Sequence, residues 1–151
     1  MDNTYKITTR SDEETIEVAQ NLESEKFPNM VICLIGDLGS GKTIFTKGFA
    51  SAMAIDEITS PTFNIIKEYV GELPLYHMDV YRTDGKIDGL GLEEYFDKGG
   101  VTIIEWADMI EDYLPKERLD IKFKITGENS RVMVITPHGD KYINACEEAL
   151  W

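Results

Sequence analysis

The hydrophobic pattern changes character around one short apolar run. Met30-Val31-Ile32-Cys33-Leu34-Ile35 has no polar alternation and the length of a strand buried on both faces. A glycine-rich octet follows it. Next, Ile44, Phe45, Phe49 and Met53 fall on one side of a 3.6-residue period, which predicts a helix over Thr43–Met53. Before the run, Tyr5–Thr9 predicts a short strand, and Ser11-Asp12-Glu13-Glu14 forms a capping box with Ser11 as N-cap and Glu14 reaching back. The helix it opens turns Ile16, Ala19 and Leu22 inward and is expected to stop near Phe27-Pro28, where proline restricts the preceding residue.

After the loop helix, Thr59-Ser60-Pro61-Thr62-Phe63 is a turn or extended segment, since its proline breaks a helix. Its hydroxyls either face a ligand or simply lead into the next strand. Strand character runs over Asn64–Val70, Gly71–Pro74 reads as a hairpin connection, and a second strand is expected over Leu75–Tyr81. Alternation puts Leu75, His77, Asp79 and Tyr81 on one face, and Tyr76, Met78 and Val80 on the other. His77 and Asp79 form a candidate polar pair, with His77 taken as structural. Arg82 is either a phosphate partner or an ordinary surface arginine.

Further along, Thr83–Gly91 is loop-like, Leu92–Phe96 a short helix ended by Gly99-Gly100, and Val101–Trp106 a second buried strand that closes on an acid. A helix over Ala107–Leu114 stops at Pro115. Leu119–Ile125 alternates with period two, Gly127–Ser130 turns the chain, and Arg131–Ile135 returns. A terminal helix over Asp140–Trp151 packs through Tyr142, Ile143, Cys146 and Leu150. With no repeat, low-complexity segment or linker, residues 1–151 are expected to form a single domain. The fold class is α/β: a three-layer P-loop architecture with a mixed, largely parallel central sheet and a C-terminal antiparallel strand pair.

Composition narrows the function classes. Apolar residues make up 42% of the 151, an ordinary globular share. No apolar run reaches bilayer length, and the polar start lacks a signal-peptide core, so the expected location is cytoplasmic. Cys33 and Cys146 have no redox or metal spacing. The net charge of −13 repels a phosphate backbone and no basic run offsets it, so direct nucleic-acid binding is disfavoured. A protein partner is the alternative, although acidity also simply keeps a chain soluble.

The octet Gly36-Asp37-Leu38-Gly39-Ser40-Gly41-Lys42-Thr43 reads G-x-x-x-x-G-K-T. Its glycines let successive backbone N–H groups converge on a phosphate, and it opens a helix whose first-turn N–H groups lack internal partners. Asp37, Leu38, Gly39, Ser40, Gly41, Lys42 and Thr43 therefore form the expected nucleotide cradle. Lys42 places charge on the β- and γ-phosphates, and the Thr43 hydroxyl ligates Mg²⁺. Such a loop needs an acid at the end of a neighbouring strand. Asp79 and Glu105 compete for that role. Glu105 ends the more apolar strand and is favoured for the metal, leaving Asp79 to position or activate water. Trp106 points away from Glu105 and is read as packing or contact surface.

Four ordered pieces carry a resemblance: Gly36–Thr43, Ser60-Pro61-Thr62-Phe63, His77-x-Asp79-x-Tyr81-Arg82 and Ile104-Glu105-Trp106. Together with the capping segment before the first helix, they resemble the TsaE (YjeE) ATPases of tRNA threonylcarbamoyladenosine (t6A) synthesis. The resemblance implies ATP and Mg²⁺, with Thr43 and Glu105 as metal ligands, a switch at Ser60, Pro61 and Thr62, and Asp79 required for hydrolysis. It also implies that Arg10, Asp12, Ser130 and Arg131 lie by the base or ribose. The implied partners are TsaD and TsaB, with hydrolysis resetting that complex. Two departures stand out. Ile44 replaces a second hydroxyl after Thr43, and Asp108 stands where members often carry glutamate.

Two rival classes use the same loop. A small-molecule kinase would need several arginines to clamp its acceptor, and Arg10, Arg82, Arg118 and Arg131 are scattered along the sequence. A binding module without turnover differs only in rate.

Overall fold

A computed structural model describes residues 3–61 and 64–150. Seven strands form one sheet in the order β1-β7-β6-β2-β5-β4-β3. They are β1 (Tyr5–Thr9), β2 (Met30–Ile35), β3 (Ile66–Val70), β4 (Pro74–Asp79), β5 (Val101–Glu105), β6 (Arg118–Ile125) and β7 (Arg131–His138). The centre, β6-β2-β5-β4, is parallel. Antiparallel pairing joins β3 to β4, and joins β7 to both β6 and β1. The mixed sheet and the antiparallel C-terminal pair are as the sequence indicates.

The period-two pleat of β2 splits its apolar run between two cores. Met30, Ile32 and Leu34 pack under α1 (Asp12–Glu23), α2 (Lys42–Ala52) and α3 (Asp140–Ala149), against Leu22, Phe45, Phe49 and Tyr142. Val31 and Cys33 face the opposite layer, which is built from 3₁₀ turns and loops carrying Ile87, Leu92, Phe96 and Ile110. Cys33 and Cys146 are buried free thiols in different cores.

Several boundaries differ from expectation for local reasons. Helix α1 stops at Glu23, short of Phe27-Pro28, because Glu25 and Lys26 donate to Leu22 and Glu23 carbonyls in tightened turns and Lys26 pairs with Glu23 at 2.7 Å. Strand β3 begins at Ile66, since Asn64 and Ile65 donate back to the Pro61 carbonyl and Ile65 has φ 65°. Strand β4 stops at Asp79, not Tyr81: the Asp79 carboxylate accepts the Tyr81 N–H at 3.0 Å and turns the chain into a 3₁₀ segment. Trp106 leaves β5 with φ 64°, donating its N–H to the Leu34 carbonyl. Strand β7 continues past Ile135 through Pro137, which pairs with Leu119 beyond the end of β1. Helix α3 ends at Ala149, and Trp151 lies outside the described residues.

β2 is flanked by β5 on one side and β6 on the other, so the strand order splits at β2. The crevice beyond its C-terminal end is where open parallel sheets receive ligands. The glycine octet lies there.

Candidate nucleotide site

The site grows from the junction of β2 and α2. Gly41 caps α2 with φ 116°, and no side chain closes the first turn, so its N–H groups face the loop. A Cβ on Gly41 would strike the Arg131 guanidinium, which lies directly against the loop. Arg131 begins β7 and donates to Asp12 at the start of α1, 2.9 Å away. Its other terminal nitrogen, Nη1, is buried with no hydrogen-bond partner among the described residues, as is Ser40 Oγ.

Lys42 is folded back. Its ammonium donates to the carbonyls of Gly36 and, at 3.0 Å, Asp37, and lies 4.0 Å from the centre of the Trp106 ring. Tyr81 packs against that indole, with ring centroids 4.7 Å apart. Burial lowers the Lys42 pKa, while Glu105, Asp79, Asp37 and Asp108 oppose the shift.

Beside it, the Thr43 hydroxyl donates to Glu105 Oε1 at 3.1 Å, and Glu105 Oε2 lies 2.6 Å from His77 Nε2. The histidine therefore pairs with the acid of the next strand, not with Asp79 two residues along its own. Asp79 is the register partner of Glu105. Burial raises the Asp79 pKa and Glu105 adds to the rise, while the Tyr81 N–H, His77 and Lys42 pull it down.

These groups line a cleft of about 490 Å³. Of the residues anticipated from sequence, it brings together Asp12, Leu38, Gly39, Gly41, Lys42, Thr43, Ser60, Asp79, Glu105 and Arg131. Ser40 is buried beneath the loop, and Asp37 is exposed with its carbonyl turned toward Lys42. Arg10, Pro61 and Ser130 are not among the lining residues. Arg10 is exposed, and the Ser130 carbonyl accepts the N–H groups of Thr126 and Gly127. Thr62 lies outside the described residues.

Two aromatic side chains complete the wall without having been assigned to it. Trp106 is part of the site rather than remote packing, because its left-handed backbone swings the ring over Lys42. Tyr81 follows from the turn after Asp79. The signal in the residue string is that Trp106 adjoins Glu105 and Tyr81 stands two residues after Asp79, each close to an acid at a strand end and inside a motif of the resemblance. The arginines are also less scattered than their spacing suggests, since Arg82 and Arg131 both border the cleft.

The family model described as "Threonylcarbamoyl adenosine biosynthesis protein TsaE" matches residues 9–133. The chain belongs to the TsaE family. A relative named tRNA threonylcarbamoyladenosine biosynthesis protein TsaE, from Bacillus subtilis, is 50% identical over 142 residues, covering 93% of this chain and 90% of that one. A relative of the same name from Nostoc is 35% identical over 144 residues, covering 91% and 88%. The crystal structure of Bacillus subtilis YdiB superposes with a TM-score of 0.87 at 47% identity, covering 99% of this chain and 95% of that one. All four motifs of the resemblance fall inside the matched TsaE segment.

Proposed function

We propose that the chain binds ATP with Mg²⁺ and hydrolyses it in the synthesis of threonylcarbamoyladenosine on tRNA, acting on a TsaD–TsaB type complex. The observation that carries the proposal is the convergence of Lys42, the Thr43–Glu105 pair and Asp79 at the mouth of one glycine loop. The names of the relatives supply the pathway.

The residues fit the ligands. Two buried groups without partners among the described residues, Ser40 Oγ and Arg131 Nη1, flank the loop, and a bound polyphosphate offers acceptors to such donors. Thr43 and Glu105 present only oxygens, the donor type Mg²⁺ prefers. Among the described residues no group of three or more His, Cys, Asp or Glu could hold a metal alone. That suits an ion completed by phosphate oxygens and water. When bound, Mg²⁺ neutralises charge developing on the phosphates.

The chain's own groups then divide the work. Loop N–H groups and the first turn of α2 cradle the phosphates. Lys42 exchanges the Gly36 and Asp37 carbonyls for phosphate oxygens. Asp79, its carboxylate fixed by the Tyr81 N–H, orients the attacking water and takes its proton. Ser60, Pro61 and Thr62 act as the segment that reports the γ-phosphate outward. In this reading the partner gates the rate. The net charge of −13 favours a protein partner with a basic face over direct contact with tRNA, and the site of action is the cytoplasm.

The test is ATP hydrolysis by the purified chain, alone and mixed with the TsaD and TsaB proteins of the same cell. A sharp rise on mixing supports a partner-gated ATPase. Absence of both complex and stimulation overturns the partner assignment. Phosphate transferred to a small acceptor in place of water would make the enzyme a kinase, with Arg82 and Arg131 as the clamp.

A further inference from the structure

Glu105 has its two carboxylate oxygens committed to two different elements. Oε1 accepts from Thr43 on α2, facing the cleft, and Oε2 meets His77 inside the sheet. Strand register explains the second contact. Asp79 is opposite Glu105, and His77 is opposite Ile103, so His77 sits one pleat behind on the same face. Such diagonal neighbours are within reach of long side chains.

His77 is fully buried, and its Nδ1 has no hydrogen-bond partner among the described residues. A carboxylate oxygen accepts, so the 2.6 Å contact is a hydrogen bond donated by Nε2–H. The other tautomer would set two acceptors against each other and bury an unsatisfied N–H, which is the worse arrangement.

We propose that His77 is a positioning residue: its Nε2, 2.6 Å from Glu105 Oε2, pins that oxygen, so that Oε1 is held toward Thr43 and the cleft. The proposal rests on the reading of Thr43 and Glu105 as the Mg²⁺ ligands. A glutamate on an exposed surface samples many rotamers, and ordering it at the moment of metal binding lowers affinity. A histidine inside the sheet removes that freedom in advance. The His-x-Asp spacing of β4 thus serves two carboxylates, with Asp79 acting in the cleft and His77 acting through Glu105.

The experiment measures binding of a fluorescent, non-hydrolysable ATP analogue with Mg²⁺ and with chelator. In wild type, Mg²⁺ tightens binding. His77→Asn, whose amide falls short of the Nε2 position, is expected to lose about tenfold or more of that metal-dependent gain while keeping its metal-free affinity. His77→Gln, whose amide nitrogen reaches that position and donates, should restore most of the gain. A wild-type gain in His77→Asn alongside a lost gain in Glu105→Gln overturns the role of His77 and leaves the metal site standing. No gain in wild type overturns the metal site and, with it, this role. A second measurement does not depend on any His77 variant folding. The chain has two histidines, His77 and His138, so imidazole nitrogen resonances of ¹⁵N-labelled protein can be assigned with His138→Gln. His77 should show a protonated Nε2. An Nε2 without a proton overturns the proposal.

Discussion

Asp79 and Glu105 are register partners at the C-terminal ends of neighbouring parallel strands, yet they occupy different environments. Glu105 is 3% exposed and bound on both oxygens, to Thr43 and His77. Asp79 is half-buried and bound to the Tyr81 backbone N–H. The acid beside the loop hydroxyl suits metal binding, and the acid facing the cleft suits water. Asp79→Asn should therefore leave nucleotide affinity nearly unchanged and lower kcat by about 10²–10⁴. Glu105→Gln should lose Mg²⁺-dependent binding. Equilibrium binding and single-turnover hydrolysis on both variants check this, and the opposite pattern would exchange the two roles.

Asp79 should also cost the fold stability. Its folded pKa is raised, first by burial and then by Glu105, so the folded state holds the proton more tightly than the unfolded chain. That contribution is fully present below the unfolded value of about 3.9 and is lost as pH rises through the folded value. At neutral pH the ionised group is therefore a net penalty, moderated by solvent. Asp79→Asn is expected to raise Tm at neutral pH by at most about 2–4 °C, roughly 1 kcal/mol for a chain of this length. The advantage should vanish on acidification, when wild type is protonated too. Thermal melts across that range supply the test, and a constant difference at all pH values would assign it to something other than the charge.

The Lys42 ammonium rests on the Gly36 carbonyl and over the Trp106 ring, and a phosphate that attracts it into the cleft is expected to draw it off that ring. In a Trp151→Phe background, Trp106 is the remaining tryptophan, and its emission should change on addition of ATP and Mg²⁺. Lys42→Met should abolish both nucleotide affinity and the emission change. Binding seen by calorimetry with no change in emission would mean that the ammonium stays where it is.

The parts legible in the sequence were those set by local rules. The continuous apolar run of β2, the capping box at Ser11 and the G-x-x-x-x-G-K-T spacing each fix their own neighbourhood. They sufficed to indicate the α/β sheet, and the structure brings Lys42, Thr43, Asp79 and Glu105 to one cleft. What failed depended on one residue's backbone or on cross-strand register. Alternation runs on to Tyr81 in the residue string, where nothing shows the Asp79 carboxylate turning the chain. Strand alternation after Glu105 points Trp106 to the opposite face, whereas its left-handed backbone, unexpected for a bulky residue, swings the ring over Lys42. Alternation offers Asp79 as a partner for His77 along its own strand, whereas its partner lies across the sheet, and only register places Glu105 there.

Gly41 offers a last test, since two separate costs meet at it. Its φ of 116° disfavours any side chain, and an added Cβ would collide with the Arg131 guanidinium. Gly41→Ala is expected to destabilise by about 1–3 kcal/mol, the usual scale of backbone strain at such positions. A double-mutant cycle with Arg131→Ala separates the costs. If the collision dominates, Gly41→Ala should cost clearly less when Arg131 is absent, because the two side chains share one space. An undiminished cost would assign the effect to the backbone. Nucleotide affinity should fall in Gly41→Ala either way, because the displaced loop no longer aims its N–H groups into the cleft. Arg131→Ala alone should keep the loop geometry but lose the Asp12 link at 2.9 Å, so comparing its affinity with that of Asp12→Ala separates loss of that link from loss of the guanidinium itself.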